Sequence, residues 1–113
     1  YYLKTCDTCK RILNQIKNID QFQLQDIKEE SVTVKQVEEM YALTGNYETL
    51  FSKRAKLYKE MGLKDENLTE SDFKRYILEH YTFLARPVII YNDQIFVGNS
   101  PTTIETMLQK VNN

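Results

Sequence analysis

The segment Thr5-Cys6-Asp7-Thr8-Cys9-Lys10-Arg11 holds both cysteines of the chain. Thiols separated by two residues can close a disulfide with each other, so the pair can store two electrons. Only a thiolate is nucleophilic, and a free thiol with a pKa of ~8.5 is mostly protonated at neutral pH. Cys6 falls where a helix is expected to begin, and the unpaired N–H groups and macrodipole there favour negative charge. Lys4, Lys10 and Arg11 lie close in sequence and act in the same direction, while Asp7 opposes them. The net expectation is a lowered pKa for Cys6. Cys9 lies one turn further on, within reach of a mixed disulfide on Cys6 and able to displace the adduct. It also falls on an apolar face, so it should be the more buried thiol.

Three other readings compete for the same pair. Zinc needs about four ligands, and His80 is the sole histidine, which disfavours a complete metal site within the chain. Cys9 can be a core residue, since free cysteines are often buried. The pair can also be a static disulfide, although Cys-x-x-Cys loops tend to be reducible.

Two more features bear on chemistry. Arg86-Pro87 enters an apolar run; proline fixes φ and disfavours a helical residue before it, so a strand start is the simple reading. In the element order described below, this proline faces the amino end of the first helix, where a cis bond would present backbone groups to whatever binds Cys6. Ser52-Lys53-Arg54-Ala55-Lys56 is a basic cluster. It reads as a solvated helix face or, with Arg86, as a wall for an oxyanion, because guanidinium donors suit tetrahedral anions.

These residues need elements to place them. Tyr1-Tyr2-Leu3 reads as a strand. Cys9, Ile12, Leu13 and Ile16 follow the i, i+3, i+4, i+7 pattern of a helix packing one face. Phe22-Gln23-Leu24-Gln25 alternates as a second strand, giving a right-handed βαβ unit. A helical insertion follows, at about 33–80. Thr33 and Gln36 form a capping box for a helix that stops at Gly45-Asn46. A second helix is expected from Glu48 to Met61, and a third from the cap Thr69, burying Phe73, Tyr76 and Ile77. Val88–Tyr91 and Gln94–Val97 form a hairpin across Asn92-Asp93. Ser100 and Pro101 open a last helix with the face Ile104, Met107, Leu108 and Val111. The expectation is an α/β domain, β-α-β, insert, β-β-α, with a mixed four-stranded sheet.

The bulk properties agree with one globular domain spanning 1–113. The chain has 113 residues, 42% of them hydrophobic and 27% charged. Fifteen basic residues against 16 acidic ones give a net charge of −1, which carries no footprint for direct nucleic-acid binding. No apolar run approaches the ~20 residues of a membrane span. Two closely spaced cysteines do not make a secreted disulfide scaffold, so a reducing, cytoplasmic compartment is expected.

Cys6-Asp7-Thr8-Cys9-Lys10, Ser52-Lys53-Arg54, Leu84-Ala85-Arg86-Pro87-Val88-Ile89-Ile90 and Val97-Gly98, in this order and with the helical insertion between them, resemble the arsenate reductase (ArsC)/Spx family of thioredoxin-like proteins. The resemblance implies a thioredoxin-like fold and Cys6 as nucleophile. It implies arginines, here Arg54 and Arg86, that stabilise an oxyanion, with Lys10 and Pro87 at the substrate. No bound cofactor is implied; glutathione with glutaredoxin, or another thiol donor such as thioredoxin, completes the reduction of arsenate to arsenite.

The chain departs from the glutathione-linked reductases at two places. Cys9 stands where they carry serine, and Val97-Gly98-Asn99-Ser100-Pro101 lacks their third arginine. Both departures resemble the Spx-type regulators, which use a Cys-x-x-Cys switch and bind RNA polymerase. The expectations are therefore an arsenate reductase-like enzyme acting on a small oxyanion or disulfide and, as the alternative, a regulator switched by a Cys6–Cys9 disulfide.

Overall fold

A computed structural model describes residues 1–113. The chain divides into two compact units, Tyr1–Glu30 with Arg86–Asn113, and Ser31–Ala85.

In the first unit, helix α1 spans Asp7–Leu13. Strands β1 (Val88–Tyr91) and β2 (Gln94–Val97) pair antiparallel, Val88 opposite Val97 and Tyr91 opposite Gln94. Asn92 makes the two-residue turn at φ +57, a left-handed conformation that asparagine tolerates. Helix α5 (Pro101–Val111) starts as its sequence dictates: Ser100 Oγ accepts from the Thr103 N–H, and Pro101 fills the first turn, where no donor is needed.

The sheet is two-stranded, not four-stranded. In place of the other two expected strands there is one parallel bridge, Tyr2 with Asp26. Tyr1 exchanges both backbone hydrogen bonds with Val88 at 2.9 Å. On its other side Tyr2 forms a parallel bridge with Asp26, donating to Gln25 O and accepting from Ile27 N–H, both at 3.0 Å. The strand expected at Phe22–Gln25 begins only at its last residue. Phe22 closes a 3₁₀ turn (Ile19–Gln21), and Leu24 is 48% exposed, so Phe22 and Leu24 do not share a buried face. Alternation of residue type was present there without a partner strand to pair with.

One face of the hairpin is covered by α1, the turn after it and α5. Ile12, Ile16, Ile89, Met107 and Val111 form the buried cluster, with Phe22, Tyr91, Phe96, Ile104 and Leu108 packed against it. Ile89, Tyr91 and Phe96 share this face because Ile89 pairs with Phe96 and side chains alternate along a strand.

In the second unit, α2 (Val34–Thr44) carries the full capping box. Thr33 accepts from the Gln36 N–H, the Gln36 side chain accepts from the Thr33 N–H, and Gly45 ends the helix at φ +85. Helix α4 (Glu70–Glu79) is capped in the same way by Thr69 and Asp72. The helix expected from Glu48 to Met61 is broken. A 3₁₀ turn covers Glu48–Leu50, and α3 is only Lys56–Glu60. Between them Phe51 forms an antiparallel bridge with Leu84, with Ser52 N–H on Phe83 O at 2.7 Å and Ala85 N–H on Leu50 O at 2.8 Å. Leu50 and Phe51 are adjacent and both buried, which this extended backbone accommodates. Phe51 stacks on Phe83 (5.2 Å between ring centres) and meets Phe73 at 4.9 Å.

No helix is long and apolar enough to cross a membrane. The expected effect of Met107→Ala, at a site with no solvent exposure, is a loss of about 2–5 kcal/mol. Thr33→Ala, which removes one cap, should cost only about 1 kcal/mol. Urea denaturation followed by circular dichroism measures both, and a Met107→Ala loss no larger than the cap loss would contradict this packing.

Candidate functional site

Cys6 is the N-cap of α1, in extended conformation (φ −94, ψ 110). Its own N–H donates to Leu3 O at 3.0 Å, and its carbonyl accepts from the Lys10 N–H at 3.1 Å. The backbone turn at Lys4-Thr5 thus delivers the cysteine to the first turn of the helix, where N–H groups lack intrahelical partners. Its side chain forms no cap hydrogen bond of ordinary geometry, yet the N–H groups of Cys9 and Thr8 lie near enough to the sulfur to favour a thiolate. Both cysteines are free thiols; Cys6 is half-buried and Cys9 has no solvent exposure.

The two thiols are driven apart in acidity. Burial pushes the Cys6 thiol up, but the Cys9 N–H, the Cys9 thiol, the Arg86 guanidinium and the Thr8 N–H together hold it below the ordinary thiol range. At Cys9, burial dominates and the thiol is pushed up to about 11. The Leu3 N–H and Arg86 pull it down, while the hydrogen bond to Cys6 and the Cys6 charge push it further up. A proton on Cys9 therefore supports a thiolate on Cys6, and the reverse arrangement is disfavoured.

The expected site residues are distributed as follows. Cys6, Cys9, Lys10, Arg86 and Pro87 belong to the first unit, and Arg54 belongs to the second. Arg86 is half-buried and its charge reaches both thiols. The Arg86–Pro87 bond is cis and Pro87 is fully buried. The loop after β2 braces this dipeptide: Gly98 N–H donates to Pro87 O at 2.9 Å and Asn99 Nδ2 to Arg86 O at 3.4 Å. Lys10 has an exposed side chain, as does Arg54.

Two expectations need correction. The cation acting on Cys6 is Arg86, remote in sequence, whereas Lys4 pairs with Glu29 at 3.3 Å and Arg11 Nη2 donates to Thr8 Oγ1 at 3.4 Å. The basic cluster is not a helix face: Ser52–Ala55 lead into α3 and only Lys56 lies in the helix, with Ala55 buried and Lys53 paired to Glu48 at 2.8 Å. The Thr8 N–H is one of the unpaired first-turn donors expected at Cys6, whereas sequence reasoning missed the N–H of Leu3 and the amide of Asn99. Backbone donors carry no residue signature, but Asn99 lies beside the strand-ending glycine.

No group of three or more His, Cys, Asp or Glu side chains is placed to hold a metal ion.

A thiol whose pKa is lowered becomes thiolate at lower pH. Alkylation of Cys6 by iodoacetamide should therefore reach its plateau at lower pH than alkylation of free cysteine, and Arg86→Met should move the Cys6 curve to higher pH. In molecules whose Cys6 is still unlabelled, Cys9 should stay unreacted until near its own range, about 11. Mass spectrometry of each labelled cysteine against pH reads all three, and a Cys6 curve coincident with free cysteine would sink the assignment.

Similarity to known proteins converges on one family. The chain is 23% identical over 112 residues to the global transcriptional regulator Spx 2 of Bacillus anthracis, covering 97% of this chain and 86% of that protein. It is 38% identical over 52 residues to an arsenate reductase of Neisseria meningitidis, covering 46% of this chain and 44% of the reductase. Among solved structures, the arsenate reductase from Vibrio cholerae superposes with a TM-score of 0.76 at 21% identity, covering 98% of this chain and 93% of that one. An arsenate reductase (ArsC) related protein from Brucella melitensis gives 0.70 at 18% identity, covering 94% and 89%. The likeness to these structures is one of fold, the thioredoxin-like α/β fold of the arsenate reductases. The sequence profile of the ArsC family matches residues 1–107, and the chain belongs to the ArsC family.

Proposed function

We propose that this protein is an arsenate reductase-like thiol oxidoreductase with Cys6 as nucleophile and Cys9 as resolving thiol. The observation that carries the reading is the division of labour between the thiols: Cys6 half-buried with a lowered pKa, Cys9 buried and protonated beside it. With arsenate, Cys6 sulfur bonds to arsenic as water leaves. Cys9 then attacks Cys6 sulfur; the Cys6–Cys9 disulfide forms, two electrons pass to arsenic, and arsenite departs. An external thiol donor, glutathione with glutaredoxin or thioredoxin, returns the disulfide to two thiols.

The chemistry is self-timed. While Cys6 is a thiolate, its charge and hydrogen bond hold the proton on Cys9. Once Cys6 carries an adduct, both restraints vanish and Cys9 gives up its proton more readily, with only burial still opposing the Leu3 N–H and Arg86. Arg86 stabilises charge on the oxyanion, and Arg54 is assigned the same role on the family pattern. Lys10 and Pro87 are assigned to the substrate on the same ground. The reaction needs a reducing compartment, which agrees with a cytoplasmic protein.

Arsenite release with glutathione and glutaredoxin tests the reading. Cys6→Ser should fall to the uncatalysed background, and Arg86→Ala should lose about 10²–10³-fold, as for removal of one oxyanion donor. Cys9→Ser should fail with arsenate alone and recover when glutathione is supplied. Wild type no faster than Cys6→Ser would end the arsenate proposal.

A second reading is favoured by Cys9 itself, which stands where glutathione-linked reductases carry serine, and by the match to Spx 2 over 97% of this chain. In it, closure of the Cys6–Cys9 disulfide changes a surface that binds RNA polymerase. Capture of polymerase by the oxidised but not the reduced protein supports it, and equal absence in both states counts against it. Both readings require a pair that cycles. Because the lowered pKa of Cys6 stabilises the reduced form, the reduction potential should lie above about −300 mV, the range of static disulfides. A lower value in a glutathione redox titration would leave the bond permanently closed and exclude both.

A further inference from the structure

Between α1 and α5 the first unit carries a groove of about 420 Å³. One end is formed by Thr8, whose N–H favours the Cys6 thiolate, and by Asn99, whose amide holds the Arg86 carbonyl. Thr8 and Asn99 thus border the groove and also contact the surroundings of Cys6. Its floor is apolar, from Ile12, Pro101, Ile104 and Leu108. Charge lies on both walls, Arg11 from α1 and Glu105 from α5, both exposed.

Size selects the class of occupant. A tetrahedral oxyanion with four oxygens takes roughly the room of four waters, ~120 Å³, and has no use for an apolar floor. From Thr8 to Gln15 the groove follows the chain for about 10 Å at 1.5 Å per residue, the length of about three extended residues at ~3.3 Å each. Glutathione has that length but no apolar side chain to cover Ile104 and Leu108. The opposed charges of Arg11 and Glu105 suit a chain carrying both signs.

We propose that this groove binds the peptide segment next to a cysteine in a protein disulfide, with an apolar side chain two residues from that cysteine lying on the Ile12, Ile104 and Leu108 floor. An acidic group of the segment faces Arg11 and a basic one faces Glu105. The proposal rests on the reading of Cys6 as nucleophile. Cys6 thiolate bonds to the substrate cysteine as the substrate S–S bond breaks and the other sulfur leaves as a thiolate. Cys9 then attacks Cys6, giving up its proton; the Cys6–Cys9 disulfide forms and the peptide leaves as a thiol. The protein loses two electrons and the substrate disulfide gains them.

The test uses the whole reduced protein in single turnover with short peptides whose cysteine is joined to 5-thio-2-nitrobenzoate, the release of which is read by absorbance. The reference is the mixed disulfide of 2-mercaptoethanol with the same reporter, and each rate is divided by the reference rate so that general changes in thiol reactivity cancel. A peptide with leucine two residues from cysteine should react about fivefold or more faster than its serine counterpart, the effect of partly burying one leucine. Ile104→Thr should shrink that ratio towards one. Glu105→Lys, at an exposed position that tolerates change, should reverse a preference for lysine over glutamate at the peptide end. Equal rates for leucine and serine peptides, a glutathionyl reporter as fast as the leucine peptide, or an unchanged charge preference in Glu105→Lys would each overturn the groove. Release from every substrate no faster than with Cys6→Ser would instead overturn Cys6 as nucleophile.

Discussion

Leu3 touches both cysteines through its backbone, and the site depends on that. Its carbonyl accepts from the Cys6 N–H at 3.0 Å, and its N–H lowers the cost of charge on Cys9. Leu3 is fixed in turn by its neighbours: Tyr1 exchanges two hydrogen bonds with Val88, and Tyr2 is bridged to Asp26. Few ladder bonds are involved, but they come from both sides, so the segment has little freedom to shift. A shift of one residue would move Leu3, which is buried, to the opposite face. The register of a three-residue segment thus sets the position of Cys6.

The acidity of the pair follows from where that register puts each sulfur. Cys6 lies at the start of α1, where N–H donors are free; Cys9 lies on its buried face, one turn on. Desolvation raises both thiols, since it penalises charge. Only at Cys6 do enough donors converge to reverse it. One proton is then shared unequally between two thiols, and removing the Cys6 charge changes the affinity of Cys9 for it. The acidities of the two thiols are thereby linked by one hydrogen bond and one charge, with no third titrating group required.

Much of this was legible in the sequence where local rules decide. Thr33, Thr69 and Ser100 cap the helices they were expected to cap, because capping depends on residues within one turn. The hairpin turn at Asn92-Asp93 and the buried face of α5 follow from equally short-range patterns. The misses are long-range. Phe22–Gln25 alternates, yet strand pairing needs a partner in register, and only Gln25–Ile27 finds one. Leu50 and Phe51 fit a helix by composition, but Leu84 offers Phe51 a bridge and the helix breaks. The cation at Cys6 was sought among Lys4, Lys10 and Arg11, while the effective charge comes from Arg86, eighty residues away in sequence.

The loop after β2 braces the site through a backbone N–H and a side-chain amide. Where the resemblance to glutathione-linked reductases implies a third arginine, this chain has Gly98-Asn99-Ser100. Gly98 adopts φ +85, which a side chain would strain, and its N–H holds Pro87 O. Asn99 holds Arg86 O, so the loop fixes the backbone of the arginine that acts on both thiols. An arginine there would add charge; an asparagine adds a brace and no charge at its end of the groove. With one fewer fixed cation, the local field is weaker for a multiply charged oxyanion, whereas a neutral disulfide asks for little charge stabilisation before its leaving thiolate forms.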